Sequence, residues 1–300
     1  MNEKLEKAIL RIKSAAEIAE NMGNTLVLAY SGGKDSDLLL DIALKSGVIF
    51  KAEHNLTTAD APETVYHIRE VFEGLRKRGI EATINYPEQI DIDGKRVRAS
   101  MWNLIVKKKF PPTRMVRYCC EYFKERCFDG QHILTGVRWA ESNGRAKGRG
   151  LHEKNHKNKE HRIIYFDEND DRHKLTEICQ SRARIVTNPI IDWTDADVWR
   201  YIKEHGIKIN LLYGLGFRRV GCIGCPLAGG KVQQFEFQMY PKYEAAYIRA
   251  FEKMLEYKES KGYTRTELWA DGKAVLDWWT EKINSGDDEK MEQLSLFDGE

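Results

Sequence analysis

A chain of 300 residues with 42% apolar content can bury one large core, or one core and a smaller appendage. Its 48 basic and 46 acidic residues leave a net charge of +2, which excludes a global pull toward nucleic acid or membrane, so any such binding has to come from local patches. No stretch approaches the roughly 20 apolar residues of a membrane span. The expected location is therefore cytoplasmic, where six cysteines point to metal or redox chemistry rather than disulfides.

The first twenty residues, MNEKLEKAILRIKSAAEIAE, read as an amphipathic helix of mixed charge and not as a signal peptide. "LAYSGGKDSDLLL" (28–40) then joins a buried strand at 26–29 to a helix over 37–44. Between them, Gly32 and Gly33 let backbone N–H groups crowd together, and a helix N-terminus with free amides is an anion site. Lys34 adds a cation, and Ser31 and Ser36 add hydroxyls. The adjacent glycines do not match a Walker loop, which separates its first glycine from the Gly-Lys pair by four residues. The stretch is nonetheless a phosphate cradle in composition, with Asp35 beside the lysine.

Strands follow at 48–55, 80–86 and 132–136, with helices from Pro62 and over 100–109. The helix from Pro62 carries Val65, Ile68, Val71, Phe72 and Leu75 on one face. This alternation predicts an α/β fold with a doubly wound parallel sheet covered on both faces. Ligands in such sheets sit beyond the carboxyl ends of the strands, where the 31–36 loop, Asp60 and the 136–145 stretch are expected to gather. "IIDWTDADVWRYIKEHG" predicts a helix capped by Thr194 with Asp197 in the capping box, and ended by Gly206. The expected organisation is a nucleotide-binding domain over 1–233, a helical C-terminal appendage over 234–284 and a flexible tail over 285–300.

Cys119 and Cys120 are adjacent, and Cys222 and Cys225 form a CxxC between Gly221 and Gly224. Thiolates select zinc, copper(I) or iron–sulfur clusters. Neighbouring cysteines diverge, which is awkward for one tetrahedral zinc and easier for a 4Fe-4S cluster. Two unrelated buried pairs is the structural alternative.

SGGKDS resembles the PP-loop of the adenine-nucleotide hydrolases. Together with "RYCCEYFKE", "GVRWAESNGRA", "NPIIDWTDADVWRYI" and "GCIGCP" in that order, it resembles the phosphoadenylyl-sulfate (PAPS) reductase family over residues 25–230, and within it the cluster-bearing adenylyl-sulfate reductases. The resemblance implies an adenine nucleotide (ATP, PAPS or APS) with its anionic end at Ser31, Gly32, Gly33, Lys34, Asp35 and Ser36. It also implies cluster ligation by Cys119, Cys120, Cys222 and Cys225, and an approach of Arg138 and Arg145 to the nucleotide's anionic end. Lys34, Asp35, Arg138 and Arg145 are thus the candidate catalytic residues. Magnesium, if used, has Asp35 as its nearest ligand and Asp60 as a weaker one.

Two departures redirect this reading. The family's reductases carry a nucleophilic cysteine near the C-terminus, whereas the last cysteine here is Cys225; Cys127 and Cys179 are the only spares. The segment 145–162 holds seven Lys/Arg and three His against two Glu, a solvated insertion, a lid over the nucleotide or a contact for a nucleic-acid backbone. Three functions follow: ATP-dependent adenylation supporting sulfur transfer to nucleic acid, sulfonucleotide reduction by Cys127, Cys179 or a partner's thiol, and nucleotide or nucleic-acid binding without turnover. Near the end, Gln293-Leu294-Ser295-Leu296-Phe297 resembles the pentapeptide that binds the bacterial sliding clamp, and folding back on the protein's own helices is the alternative.

Overall fold

The computed structural model describes residues 2–125, 128, 130–155, 163–165 and 184–285. Cys127, Cys179, residues 156–162 and the Gln293–Phe297 motif lie outside them. The chain divides into two compact units: Met1–Asn55, Pro62–Asn85 and Glu125–Val220 form the first, and Leu56–Ala61, Tyr86–Lys124 and Gly221–Glu300 the second. Among the described residues no helix is long and apolar enough to cross a membrane.

The first unit holds a seven-stranded sheet. Its strands are β1 (Leu26–Ala29), β2 (Phe50–Asn55), β3 (Ala82–Asn85), β6 (His132–Leu134), β7 (His152–Asn155), β8 (Ile163–Tyr165) and β9 (Arg184–Thr187), in the order β3-β2-β1-β6-β9-β7-β8. The first five are parallel, as the alternation of strands and helices predicts. β7 and β8 close the far side antiparallel. Side chains on a strand alternate between faces, and β1 shows the result: Leu26 and Leu28 enter one core cluster and Val27 another. The larger cluster takes Ala8, Ile12 and Ala15 of α1 (Asn2–Asn21), Leu38, Leu39 and Ile42 of α2 (Lys34–Ser46), Ile68 and Phe72 of α3 (Pro62–Lys77), and Val198 and Tyr201 of α7 (Asp195–His205). Helix α7 begins and ends as predicted. Thr194 Oγ1 accepts from Asp197 N at 3.2 Å, Asp197 Oδ2 accepts from Thr194 N at 2.9 Å, and Gly206 is left-handed at φ +59°.

The basic stretch from 145 is more than a solvated loop. It continues a short helix α6 (Asn143–Gly148) and supplies β7, in which His152, Glu153 and Lys154 are all buried. The reason is that β7 pairs on both sides, with β9 and β8, so its side chains are covered. Part of the positive charge counted in the sequence is therefore internal.

The second unit carries the hairpin β4 (Glu88–Ile90) and β5 (Arg96–Arg98), then α4 (Met101–Lys108) and α5 (Tyr118–Cys120), which runs into a π-turn over Glu121–Glu125. Helices α8 (Gly230–Met239), α9 (Pro241–Ser260) and α10 (Gly272–Ser285) follow. Their core is aromatic. Tyr247 stands 4.9 Å from Trp102, 5.0 Å from Trp279 and 5.7 Å from Phe237 between ring centroids. Trp279 Nε1 donates to Pro112 O at 2.6 Å, satisfying the one polar atom of a buried indole.

Within the sheet, Thr187 Oγ1 lies 2.7 Å from His132 Nε2 and 2.8 Å from His152 Nδ1. Burial, with the nearby His152, lowers the His132 imidazole to about 3. Its unfolded value is about 6.5, so below that pH only the unfolded state takes up this proton. Stability is then lost as pH falls from about 6.5 toward 3. Between pH 7 and pH 5 the wild-type chain should lose about 2 kcal/mol more unfolding free energy than His132→Gln in urea titrations. Equal losses in the two proteins would refute this assignment.

Candidate functional site

The phosphate loop forms where β1 runs out of partners. Tyr30 N still donates to Glu53 O at 2.8 Å, and the chain then turns. Gly32 sits at φ +74°, and a Cβ there would stand 2.9 Å from Ile68 Cγ1 and 3.1 Å from Thr64 Cγ2. Position 32 thus requires glycine for its conformation and for its closeness to α3. Asn210 Nδ2 fixes the turn by donating to Gly32 O at 3.1 Å and Thr64 Oγ1 at 3.0 Å. Gly33 caps α2, its carbonyl accepting from Ser36 N at 2.9 Å and Asp37 N at 3.0 Å. Ser36 Oγ accepts from Gly33 N at 3.1 Å and lies 3.2 Å from Ser31 Oγ. The cap is buttressed from behind by buried Asp37, which accepts from Tyr30 Oη and lies 2.9 Å from His67 Nε2.

One member of this loop was not visible in the sequence. Tyr213, from a 3-10 turn at Leu211–Tyr213, places its hydroxyl oxygen 2.9 Å from Lys34 N, which donates to it. The Val220 amide also acts on the phenol. Burial raises the Tyr213 phenol above its ordinary value, and the fields of Asp35 and Asp37 add to that despite the two amides. The phenol keeps its proton at neutral pH. With the Lys34 amide donating in, its O–H is left to donate outward.

Charges of alternating sign brace the loop. Arg138, almost completely buried, donates from Nε to Asp35 Oδ1 at 2.8 Å, from Nη2 to Asp195 Oδ1 at 2.7 Å and from Nη1 to Trp193 O at 3.2 Å. Lys34 Nζ lies 2.9 Å from Asp35 Oδ2 and 3.4 Å from Asp195 Oδ1. Burial pulls the Arg138 guanidinium down, but Asp35 and Asp195 outweigh it and hold it above its ordinary value. Lys34, Asp35 and Arg138 are thereby brought together, and Asp195 joins them. Both oxygens of Asp35 are occupied by cations, which does not fit a magnesium ligand. Arg145 stands apart from this group, paired with Glu141; burial lowers its guanidinium, and Arg149 and Arg219 nearby oppose its charge.

Asp60 falls in the second unit, with the cysteines. It forms an isolated antiparallel bridge with Cys222, and its Oδ2 accepts from Thr57 N at 2.8 Å. Thr57 Oγ1 is 3.3 Å from Cys222 Sγ. Cys119, Cys120, Cys222 and Cys225 line one pocket with Thr57, Lys124 and Tyr247, and all four are free thiols. The CxxC turn has no alternative to glycine at its third place. Gly224 is left-handed at φ +72°, and a Cβ there would meet Phe237 Cζ at 2.7 Å. Helix α8 clamps the turn: Gly224 N donates to Glu236 Oε2 at 2.7 Å, and Gln233 Nε2 donates to Gly224 O at 2.9 Å. Tyr247 Oη donates to Ile223 O at 2.9 Å.

The thiols feel one another and two cations. Cys120 is held well below the ordinary thiol range by a hydrogen bond from Cys119, with Lys124 and Arg117 adding to it against burial. Burial pushes the Cys222 thiol up to about 12, although Lys124 opposes it. Among the described residues, no three His, Cys, Asp or Glu side chains close on a point as a single metal ion would need.

The sequence profile of the phosphoadenosine phosphosulfate reductase domain matches residues 25–228. This chain belongs to that family. The family match runs from β1 through the CxxC turn. Its relatives include an uncharacterized protein of Methanocaldococcus jannaschii, 24% identical over 89% of this chain and 56% of the relative. An adenosine 5'-phosphosulfate reductase of Anoxybacillus flavithermus is 24% identical over 73% of this chain and 80% of its own length. The chain thus spans little more than half of the archaeal relative. Among solved structures, the phosphoadenylyl-sulfate reductase of Candida auris in its phosphate complex aligns with a TM-score of 0.42 and 18% identity, over 66% of this chain and 81% of that one.

Besides Tyr213, sequence reasoning missed Asp195 and Thr57. The cations beside the cysteines had a signal: Arg117 and Lys124 flank the pair within "RYCCEYFK". Two substitutions test the loop. Lys34→Ala removes a charge-assisted contact of about 1.5–3 kcal/mol, so ATP affinity measured calorimetrically should fall by roughly one to two decades. Tyr213→Phe removes one neutral donor, about 1 kcal/mol, and should weaken ATP several-fold while leaving adenosine binding unchanged. Equal weakening of ATP and adenosine would exclude the hydroxyl as an anion donor.

Proposed function

We propose that this member of the reductase family adenylates a substrate with ATP in support of sulfur transfer to nucleic acid. The observation that carries the reading is that every described cysteine lines a single pocket within the second unit. Attack on a sulfate sulfur requires a thiolate, and the pocket leaves none of the described thiols to spare. The phosphate loop, by contrast, is complete.

In this reading an oxygen of the acceptor attacks the α-phosphorus of ATP, the bond from that phosphorus to the bridging oxygen breaks, and pyrophosphate leaves with the electron pair. The adenylated oxygen then departs as AMP when sulfide adds in its place. Lys34 and the Tyr213 O–H meet the charge that gathers on the departing pyrophosphate, the kind of preorganised stabilisation that dominates phosphoryl and nucleotidyl chemistry. Arg138 positions: it holds Asp35 and Asp195, which in turn orient Lys34.

Cys119, Cys120, Cys222 and Cys225 would hold a 4Fe-4S cluster. Four soft donors on one pocket fit it, as do Lys124 and Arg117, whose charge offsets that of the thiolates. When bound, the cluster would supply electron-transfer and sulfur-handling chemistry. What remains of the 145–162 charge outside buried β7 supports nucleic acid as the acceptor, and the Gln293–Phe297 motif supports a sliding-clamp tether. A second reading, reduction of PAPS or APS, is favoured by family membership itself.

The two readings separate when anaerobically purified protein is given ATP or PAPS in parallel. Pyrophosphate from ATP is the expected product; sulfite from PAPS would overturn the proposal in favour of reduction. Iron and acid-labile sulfide should be present in comparable amounts, and Cys222→Ser should bleach the protein's visible absorption. Stoichiometric zinc without iron after anaerobic reconstitution would refute the cluster.

A further inference from the structure

Within the first unit, the surface around the phosphate loop carries side chains that neither the core nor the loop employs. Trp199, on α7, is 41% exposed although it is the largest of side chains, and Leu211 and Leu215 are 72% and 51% exposed. Single exposed apolar residues are ordinary, but these three accompany Tyr213. The Trp199 and Tyr213 rings meet edge to face at 5.6 Å between centroids and 89°, so the indole is held in a fixed orientation. Lys34 Nζ is 6.0 Å from the Trp199 ring centroid, and the Tyr213 hydroxyl touches Lys34 N. The exposed indole therefore stands at the mouth of the loop.

Cations complete this rim. Arg218 and Arg219 are exposed in the segment that leads to Val220, whose Cβ lies 3.8 Å from where a Cβ of Gly33 would be. Neither has a carboxylate partner among the described residues, whereas Arg145 is paired with Glu141 and Arg149 with Glu153. Arg219 lies close enough to Arg145 for the two charges to oppose each other. An oriented aromatic ring beside uncompensated guanidinium groups is the composition that binds single strands: the ring stacks an unpaired base and the cations track the phosphates. A duplex offers no base face to such a ring.

We propose that single-stranded nucleic acid docks on this rim, with a base stacked on Trp199 and backbone phosphates on Arg218 and Arg219. The inference rests on the adenylation reading, for which it names the acceptor's binding surface. The next nucleotide along the strand is presented at Lys34, whose Nζ lies 6.0 Å from the Trp199 ring centroid.

The test is fluorescence anisotropy of labelled twelve-nucleotide single strands of DNA and of RNA, and of the corresponding DNA duplex, with full-length protein. Stacking of one base is worth about 1–3 kcal/mol, so Trp199→Ala should weaken single-strand binding by roughly 5- to 150-fold. Arg218→Ala/Arg219→Ala should flatten the salt dependence by about 1.4 in log–log slope, at about 0.7 per phosphate on single strands, while ATP affinity stays at the wild-type value. The tighter of the DNA and RNA arms identifies the source of the strand. Binding of neither strand by wild-type protein, duplex binding as tight as single-strand binding, or variants indistinguishable from wild type would each overturn the docking surface. A protein ligand on the rim would appear as the first of these. Pyrophosphate release from ATP is measured on the same preparations, so loss of the docking surface and loss of the adenylation reading give different results. Circular dichroism of the variants confirms that each is folded.

Discussion

The phosphate loop depends on how closely its backbone can approach a helix that covers the sheet. Gly32 lies against Ile68 and Thr64 with no room for a methyl group, and its left-handed backbone would be strained for any other residue. That contact sets where α2 begins. From there the first amides of α2 meet Ser36 and Tyr213, and Lys34 reaches Asp35 and Asp195. Arg138 closes the arrangement from β6's side of the sheet by holding both carboxylates at once. Removing this buried arginine would leave both carboxylates to Lys34 alone. That bracing holds the geometry of the loop.

Much of this was legible in the residues. The strand, glycine pair and helix of the loop follow from local rules, as do the Thr194–Asp197 box and the Gly206 stop. The parallel part of the sheet follows from the alternation of apolar strands with helices. What local rules missed came from pairing at a distance. β7 reads as a polar, basic loop because nothing in HEKN is apolar, yet it is flanked by strands on both sides and its polar groups are matched across them. Tyr213 and Asp195 are likewise invisible as site residues, since each lies well over a hundred positions from the lysine it serves.

The cysteines show the same division. Their arrangement in two pairs was legible, and the glycine of the CxxC is demanded by Phe237 and Tyr247. The role of the C-terminal helices was hidden, because their pattern shows only amphipathic packing. In the structure they form the wall of the pocket: Glu236 and Gln233 hold the turn, and Tyr247 reaches its backbone. A stretch that looked like an appendage is the scaffold for the cysteines.

The scattered origin of that second unit bears on the order in which the protein is made. Its cysteine pairs are separated by about a hundred residues, and the wall that encloses them includes Tyr247 and the aromatic bed reaching Trp279. Folding during synthesis proceeds from the N-terminal side, so the sheet can be complete while the pocket is still open. Through that interval Cys119 and Cys120 lack the wall that Tyr247 later supplies. Whatever the pocket holds can therefore be enclosed only once the last helices have emerged.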